Sequence, residues 1–142
     1  MRQYLILAVL IVLTLTSCKK DNSNNTLDGK WRMISVKDIA TNTTSIKPSN
    51  INGNVDITFT LSTSATDIMT GVTPTNSLRG DFTIGRNNTI SVTNLSQTKV
   101  METSWGAEFL DNIRSSQSYF FDGDKKLNIN TSTNKILIFI VQ

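Results

Sequence analysis

The sequence predicts a β-rich α+β domain: a curled antiparallel sheet or small barrel of six to seven strands with one helix packed against it. Three observations point there. Thr, Ser, Asn and Ile dominate the chain after Leu27, and these residues favour strands and the turns between them. Several short stretches alternate apolar and polar residues with period two, Val55 to Leu61 most cleanly. Residues 103–115 alone switch to a helical period, with Trp105, Phe109 and Ile113 four positions apart.

Taken in order, Lys30 to Lys37 reads as the first strand, with Trp31, Met33 and Ser35 on one face and Arg32, Ile34 and Val36 on the other. Residues 38–54 are polar and read as a loop turning at Lys47-Pro48-Ser49-Asn50. In the second strand Val55, Ile57, Phe59 and Leu61 face inward, and Asp56, Thr58 and Thr60 outward. Residues 62–76 lack periodicity and contain Gly71 and Pro74, so they read as a long loop. Long loops often carry function, which makes Thr70–Thr75 a candidate interaction segment. Leu78 to Ile84 and Thr89 to Leu95 form a hairpin through Gly85-Arg86-Asn87-Asn88. On the helix, Leu110 joins the apolar stripe while Glu108, Asp111 and Arg114 stay wet, and Gly106 weakens it modestly. Gln117 to Phe121 and Lys126 to Asn130 pair through Asp122-Gly123-Asp124. Lys135 to Val141 is nearly all apolar, as expected of a strand covered on both faces, with the helix on one of them. Short connections imply mostly antiparallel pairing.

The beginning of the chain carries a different kind of information. Met1-Arg2-Gln3 is followed by an apolar run from Tyr4 to Leu15, then Thr16, Ser17 and Cys18, the layout of an export signal. The run is shorter than the ~20 apolar residues of a spanning helix, and Lys19-Lys20-Asp21 follows at once. Leu15-Thr16-Ser17-Cys18 resembles the lipobox of bacterial lipoproteins. That resemblance implies a diacylglycerol on the Cys18 sulfur, cleavage between Ser17 and Cys18, and an acyl chain on the new amino group. The expected organisation is a lipoprotein signal peptide over 1–17, a lipidated Cys18 with a flexible tether over 18–26, and one domain over 27–142. The membrane is then a partner through the lipid. Lys19, rather than aspartate, after Cys18 points to the outer membrane.

Composition excludes much chemistry. Histidine is absent, which removes Ser-His-Asp and Cys-His catalysis and most zinc sites. The single cysteine is the one the lipid would take, so no disulfide is expected. The net charge of +3 is too mild for nucleic acid, and no basic block is interleaved with aromatics. No glycine spacing suits a phosphate loop. Asp122 and Asp124 flank Gly123 and are formal candidates for a hard cation, but a calcium loop needs more oxygen ligands at set spacing, so a solvated turn is preferred. Glu108 and Asp111 read as a solvated helix face. The expectation is a monomeric, non-catalytic domain with no catalytic residues, cofactor or metal.

Several segments in order also resemble the META domain (HslJ-like) family. Leu27-Asp28-Gly29-Lys30-Trp31 is similar to its opening Leu-x-Gly-x-Trp, and Asp56-Ile57-Thr58-Phe59 to its second strand. Asn76-Ser77-Leu78-Arg79-Gly80 resembles its Asn-x-Tyr-x-Gly, and Thr98-Lys99-Val100 the stretch before its helix. Glu108-Phe109-Leu110 with Ile113, then Tyr119 and Asp122 through Ile129, resemble its helix and closing hairpin. The chain departs at Pro74-Thr75-Asn76, where many members have Gly-Cys-Asn, and at Met101-Glu102, where many have a cysteine. Any disulfide role of those cysteines does not carry over. The resemblance implies an envelope protein linked to stress tolerance, drug resistance or secretion, and it supplies no catalytic residues. Within it, Trp31 is expected to plug the core and Gly80 to permit close backbone packing. Gly29-Lys30-Trp31 also resembles the Gly-x-Trp of lipocalins, whose barrels carry small apolar ligands; a helix followed by three strands, rather than a terminal helix, stands against that. The leading expectation is an envelope lipoprotein. The alternatives are a lipocalin-like carrier, or an interaction or inhibitor module acting through residues 62–76. An interior filled by Trp31, Phe59 and Phe139 would count against the carrier.

Overall fold

The computed structural model describes residues 26–142. Nine strands and one α-helix follow in order: β1 (Gly29–Asp38), β2 (Thr43–Ile46), β3 (Asp56–Thr60), β4 (Asp67–Val72), β5 (Ser77–Ile84), β6 (Ile90–Gln97), α1 (Ser104–Ile113), β7 (Ser116–Asp122), β8 (Lys126–Thr131) and β9 (Lys135–Val141). The strands form one curled sheet in the order β6-β5-β4-β3-β1-β9-β8-β7, with β2 added to β1. Every pairing is antiparallel.

The strand count exceeds the expected six to seven because β2 and β4 lie in stretches read as loops. All four residues of β2 are exposed, so no apolar alternation marks it. In β4 only Met69 is buried, and the position that would carry the next inward side chain is Gly71. A Cβ there would overlap the Asp56 carbonyl oxygen, so the residue that reads as a loop breaker is what lets β4 approach β3. Residues 62–76 are therefore not one long loop but a turn, a strand and a second turn.

Three further positions differ from expectation. A bulge between Met33 and Ser35 resets the register of β1 against β9, so Val36 points inward with Trp31 and Met33. Leu61 lies beyond β3 and is exposed. The run in β9 buries Leu137 and Phe139 completely, while Ile136, Ile138 and Ile140 are only half-buried on the outer surface, against the expectation of two covered faces.

The interior is aromatic. Phe59 meets Phe82 edge-on at 4.9 Å between centroids, and Phe109 on α1 meets Phe139 edge-on at 6.4 Å. Trp31 is the core plug expected of it: its Nε1 donates to the Leu27 carbonyl at 2.9 Å and its ring lies 5.9 Å from Phe121. Gly80 sits opposite a bulge where Asn94 takes φ of 50°, and a Cβ there would lie 3.1 Å from Leu95 Cδ1. The tight backbone expected at Gly80 is present. Among the described residues, left-handed backbone at non-glycine positions falls to asparagine alone, at 42, 87, 88, 94 and 134, a residue type that tolerates it well. No helix among the described residues is long and apolar enough to cross a membrane.

The two ends of this packing can be compared directly. Phe109→Ala, which empties a fully buried site, is expected to cost about 3–5 kcal/mol. Phe120→Ala, on the half-exposed outer face, is expected to cost much less. Urea unfolding midpoints of the two variants check this; equal losses would mean that α1 is not part of the core.

Candidate functional site

The strand order ends at β6 on one side and β7 on the other. Among the described residues these two meet at a single antiparallel bridge, Thr89 to Ser118. The sheet is thus curled but not zipped shut, and residues 98–115 cross from β6 to β7. Two polar clusters hold that crossing in place.

The first lies just before α1. The Glu102 carboxylate accepts hydrogen bonds from the Thr73 hydroxyl, from the Thr75 hydroxyl at 2.8 Å, from Asn76 Nδ2 at 2.8 Å and from the Thr103 backbone N–H at 2.9 Å. Asn76 is buried and works in both directions. Its Oδ1 accepts from Thr98 Oγ1 at 2.9 Å and from the Val100 N–H at 3.0 Å, while Nδ2 also donates to the Val100 carbonyl at 2.9 Å. Thr103 caps the helix by accepting from the Gly106 N–H at 3.2 Å. Burial pushes the Glu102 pKa up, but the bonds from Thr73, Asn76, Thr75 and the Thr103 N–H outweigh it and hold the carboxyl below its usual range. Gly106 has a specific purpose here, because a Cβ at 106 would overlap Glu102 Oε1.

The second cluster ties the far end of α1 to the β8–β9 turn. Lys135 Nζ lies 3.0 Å from Glu108 Oε1, and Thr133 Oγ1 donates to Asn112 Oδ1 at 2.7 Å. Between these ties Trp105, Phe109, Leu110 and Ile113 press into the core. Trp105 Nε1 is buried without a hydrogen-bond acceptor among the described residues.

Beside the Thr89–Ser118 bridge the seam opens into a cleft of about 380 Å³, within the range of ligand pockets. Ile84 and Ile90 supply its apolar surface; Thr83, Thr89, Ser116 and Gln117 supply neutral donors and acceptors. No ionisable side chain lines it. A second groove of about 320 Å³ lies against β1, β3 and β4 and includes Lys30, Asp56 and Thr70. There the Asp56 carboxylate is already engaged by Arg32 in a two-point contact at 2.7 and 2.9 Å, which lowers the Asp56 pKa and raises that of Arg32.

The residues singled out from sequence are dispersed. Cys18 lies outside the described residues. Asp122 is 3.6 Å from Lys126 Nζ across the hairpin turn, and among the described residues no His, Cys, Asp or Glu cluster could hold a metal ion. Glu108 is paired with Lys135 rather than simply solvated, while Asp111 is exposed. Of Thr70–Thr75, the first three residues are in β4 and Thr73 and Thr75 serve the Glu102 cluster. Sequence reading missed Glu102, whose partners lie 26 or more positions away apart from its neighbour Thr103, and the seam, whose walls are equally distant in the chain.

A family model described as a lipocalin-like domain matches residues 13–138. Among solved structures, a protein from Burkholderia xenovorans determined by NMR aligns with a TM-score of 0.62 at 18% identity, covering 81% of this chain and 82% of that one. A crystal structure of a DUF4847 family protein from Bacteroides vulgatus aligns with a TM-score of 0.59 at 16% identity, covering 80% and 92%. At such identities the likeness is one of fold. No curated protein matches the chain. Of the two resemblances in the sequence, these findings support the lipocalin-like one; they do not show the META family, with whose segments a lipocalin-like fold is compatible.

The Glu102 cluster makes a pH prediction. A carboxyl whose pKa is lowered by folding contributes stability above its unfolded value, and loses it as pH falls through the folded value. Wild type is therefore expected to lose thermal stability on acidification below the usual carboxylate range. Glu102→Gln should start lower at neutral pH and show a shallower loss. Melting temperatures of both proteins from pH 7 to about pH 3 check it; parallel curves would show that Glu102 does not contribute.

Proposed function

The chain belongs to the lipocalin-like domain family, and from that premise we propose that it is a non-catalytic binding protein that takes a small, uncharged, partly apolar ligand at the seam of its curled sheet. The observation that carries this reading is the cleft at the Thr89–Ser118 bridge, set against an interior already occupied by Trp105, Phe59, Phe82, Phe109 and Phe139. A ligand bound deep in the sheet would have to displace packed rings. A ligand at the seam meets Ile84 and Ile90 on one side and hydroxyl and amide groups on the other. A charged ligand would lose hydration there without gaining a counter-charge, which disfavours it.

The same reading places the domain on a lipid tether. The support is Leu15-Thr16-Ser17-Cys18, with the polar segment from Lys19 onward as spacer and Cys18 as the acylated residue. On this reading the protein works at the cell envelope, on the outer membrane. The META-like segments favour a part in envelope stress tolerance, with ligand capture as its molecular basis.

Titration with the uncharged fluorophore N-phenyl-1-naphthylamine tests the site. Saturable binding is expected, and it should be lost in Gln117→Trp, which fills the cleft from an exposed position and leaves the core intact. Binding that survives Gln117→Trp would move the site elsewhere, and no binding by any neutral apolar probe would sink the proposal. For the anchor, Cys18→Ala is expected to leave the membrane fraction and to run as an uncut or mis-cut precursor. Membrane-bound protein of mature size in that variant would argue against lipidation.

A further inference from the structure

We propose that Asn52-Gly53 is a self-modifying site, at which the folded protein converts asparagine to aspartate and isoaspartate through a cyclic imide. Among the asparagines of the described residues, Asn52 alone precedes glycine. The Gly53 nitrogen attacks the Asn52 side-chain amide carbon. The new N–Cγ bond forms, the Cγ–Nδ2 bond breaks, and the nitrogen departs as ammonia with the proton from the Gly53 N–H. Water then opens the five-membered ring. Attack at Cγ gives aspartate; attack at the main-chain carbonyl carbon gives isoaspartate, with the chain rerouted through the side chain. Neither step needs an oxidant or a reductant.

The loop leaves this chemistry unobstructed. Asn52 and Gly53 are both exposed. Neither the Asn52 side-chain amide nor the Gly53 N–H has a hydrogen-bond partner among the described residues, so no such bond has to break before the two groups react. Gly53 presents no Cβ to block the approach and already holds φ of +82°. The Lys47 ammonium spans the dipeptide, donating to the Ile51 carbonyl at 3.1 Å and the Gly53 carbonyl at 2.9 Å. A cation at that place favours loss of the amide proton and stabilises the carboxylate that results.

Asn76-Ser77 is the internal contrast. Serine is also a small follower, but the Asn76 amide is buried and held by bonds to Glu102, Thr98 and Val100. The Ser77 N–H is itself engaged by Thr98 Oγ1 at 3.2 Å. The fold thus exposes one asparagine to this reaction and withholds another. The product is placed to matter, because Gly53 backs directly onto Pro74, where even a Cβ would come within 3.0 Å of its Cα. Pro74 stands between the two threonines that hold Glu102.

The test is incubation of the full-length protein in mildly alkaline buffer made with heavy-oxygen water, followed by tryptic mapping of the segment from Asp38 to Arg79. The expected result is a mixture of aspartate and isoaspartate at residue 52, carrying one heavy oxygen, with Asn76 unchanged. Asn52→Gln should abolish the signal while the melting temperature is preserved, and unfolding in urea should bring Asn76 into reaction. Residue 52 unmodified in the folded protein but modified after unfolding would overturn the proposal. So would equal rates at 52 and 76 in the native state.

Discussion

A sheet that curls without closing sets the terms for everything else in this molecule. Between β6 and β7 the backbone ladder is reduced to the Thr89–Ser118 bridge, and an unclosed sheet exposes both its strand edges and its apolar concave face. The chain answers with α1. Ten helical residues reach about 15 Å, enough to run from the Glu102 cluster to the β8–β9 turn, and the apolar stripe from Trp105 to Ile113 is buried in the core, where Phe109 meets Phe139 of β9. The helix is held by polar groups at its ends and by hydrophobic contact along its length. Those are different forces with different dependence on pH and salt.

On the proposed reading, that solution also decides where a ligand would go. In a closed barrel of about eight strands the middle can be filled by side chains or can hold one small ligand. Here the middle is taken by the residues that keep the sheet curled, and space remains where the ladder fails. The Arg32–Asp56 pair and the Glu102 cluster look like candidate chemistry in a list of charged residues, yet each carboxylate is already engaged by partners within the fold. The seam, with no ionisable group, is the less conspicuous and better suited place.

Legibility from sequence followed the physics of burial. Val55, Ile57 and Phe59 alternate because one face is wet, and Trp105, Phe109 and Ile113 recur because one helix face is dry. Both patterns were readable. The apolar run of β9 was readable as a strand, though its outer isoleucines are less covered than the run suggested. What could not be read is structure that leaves no periodic trace: β2, exposed at every residue, β4, whose inward position is a glycine, and the bulge that turns Val36 inward. The Glu102 cluster was hidden for another reason. Its donors at 73, 75 and 76 meet residue 102 only after two turns and a strand have been placed, and no local pattern encodes that meeting. The seam is harder still, since it is defined by bonds that neighbouring strands do not make.

The contact between Glu102 and Gly106 has a consequence for how this sequence can diverge. A larger residue at 106 displaces the carboxylate held by Thr73, Thr75 and Asn76, because the Glu102 side chain has to swing off its donors to make room. Loss of the glutamate first leaves a helix carrying a glycine that it no longer needs, and alanine then becomes the better occupant. Substitution at 106 first therefore costs the carboxylate its donors, whereas substitution at 102 first removes the reason for the glycine.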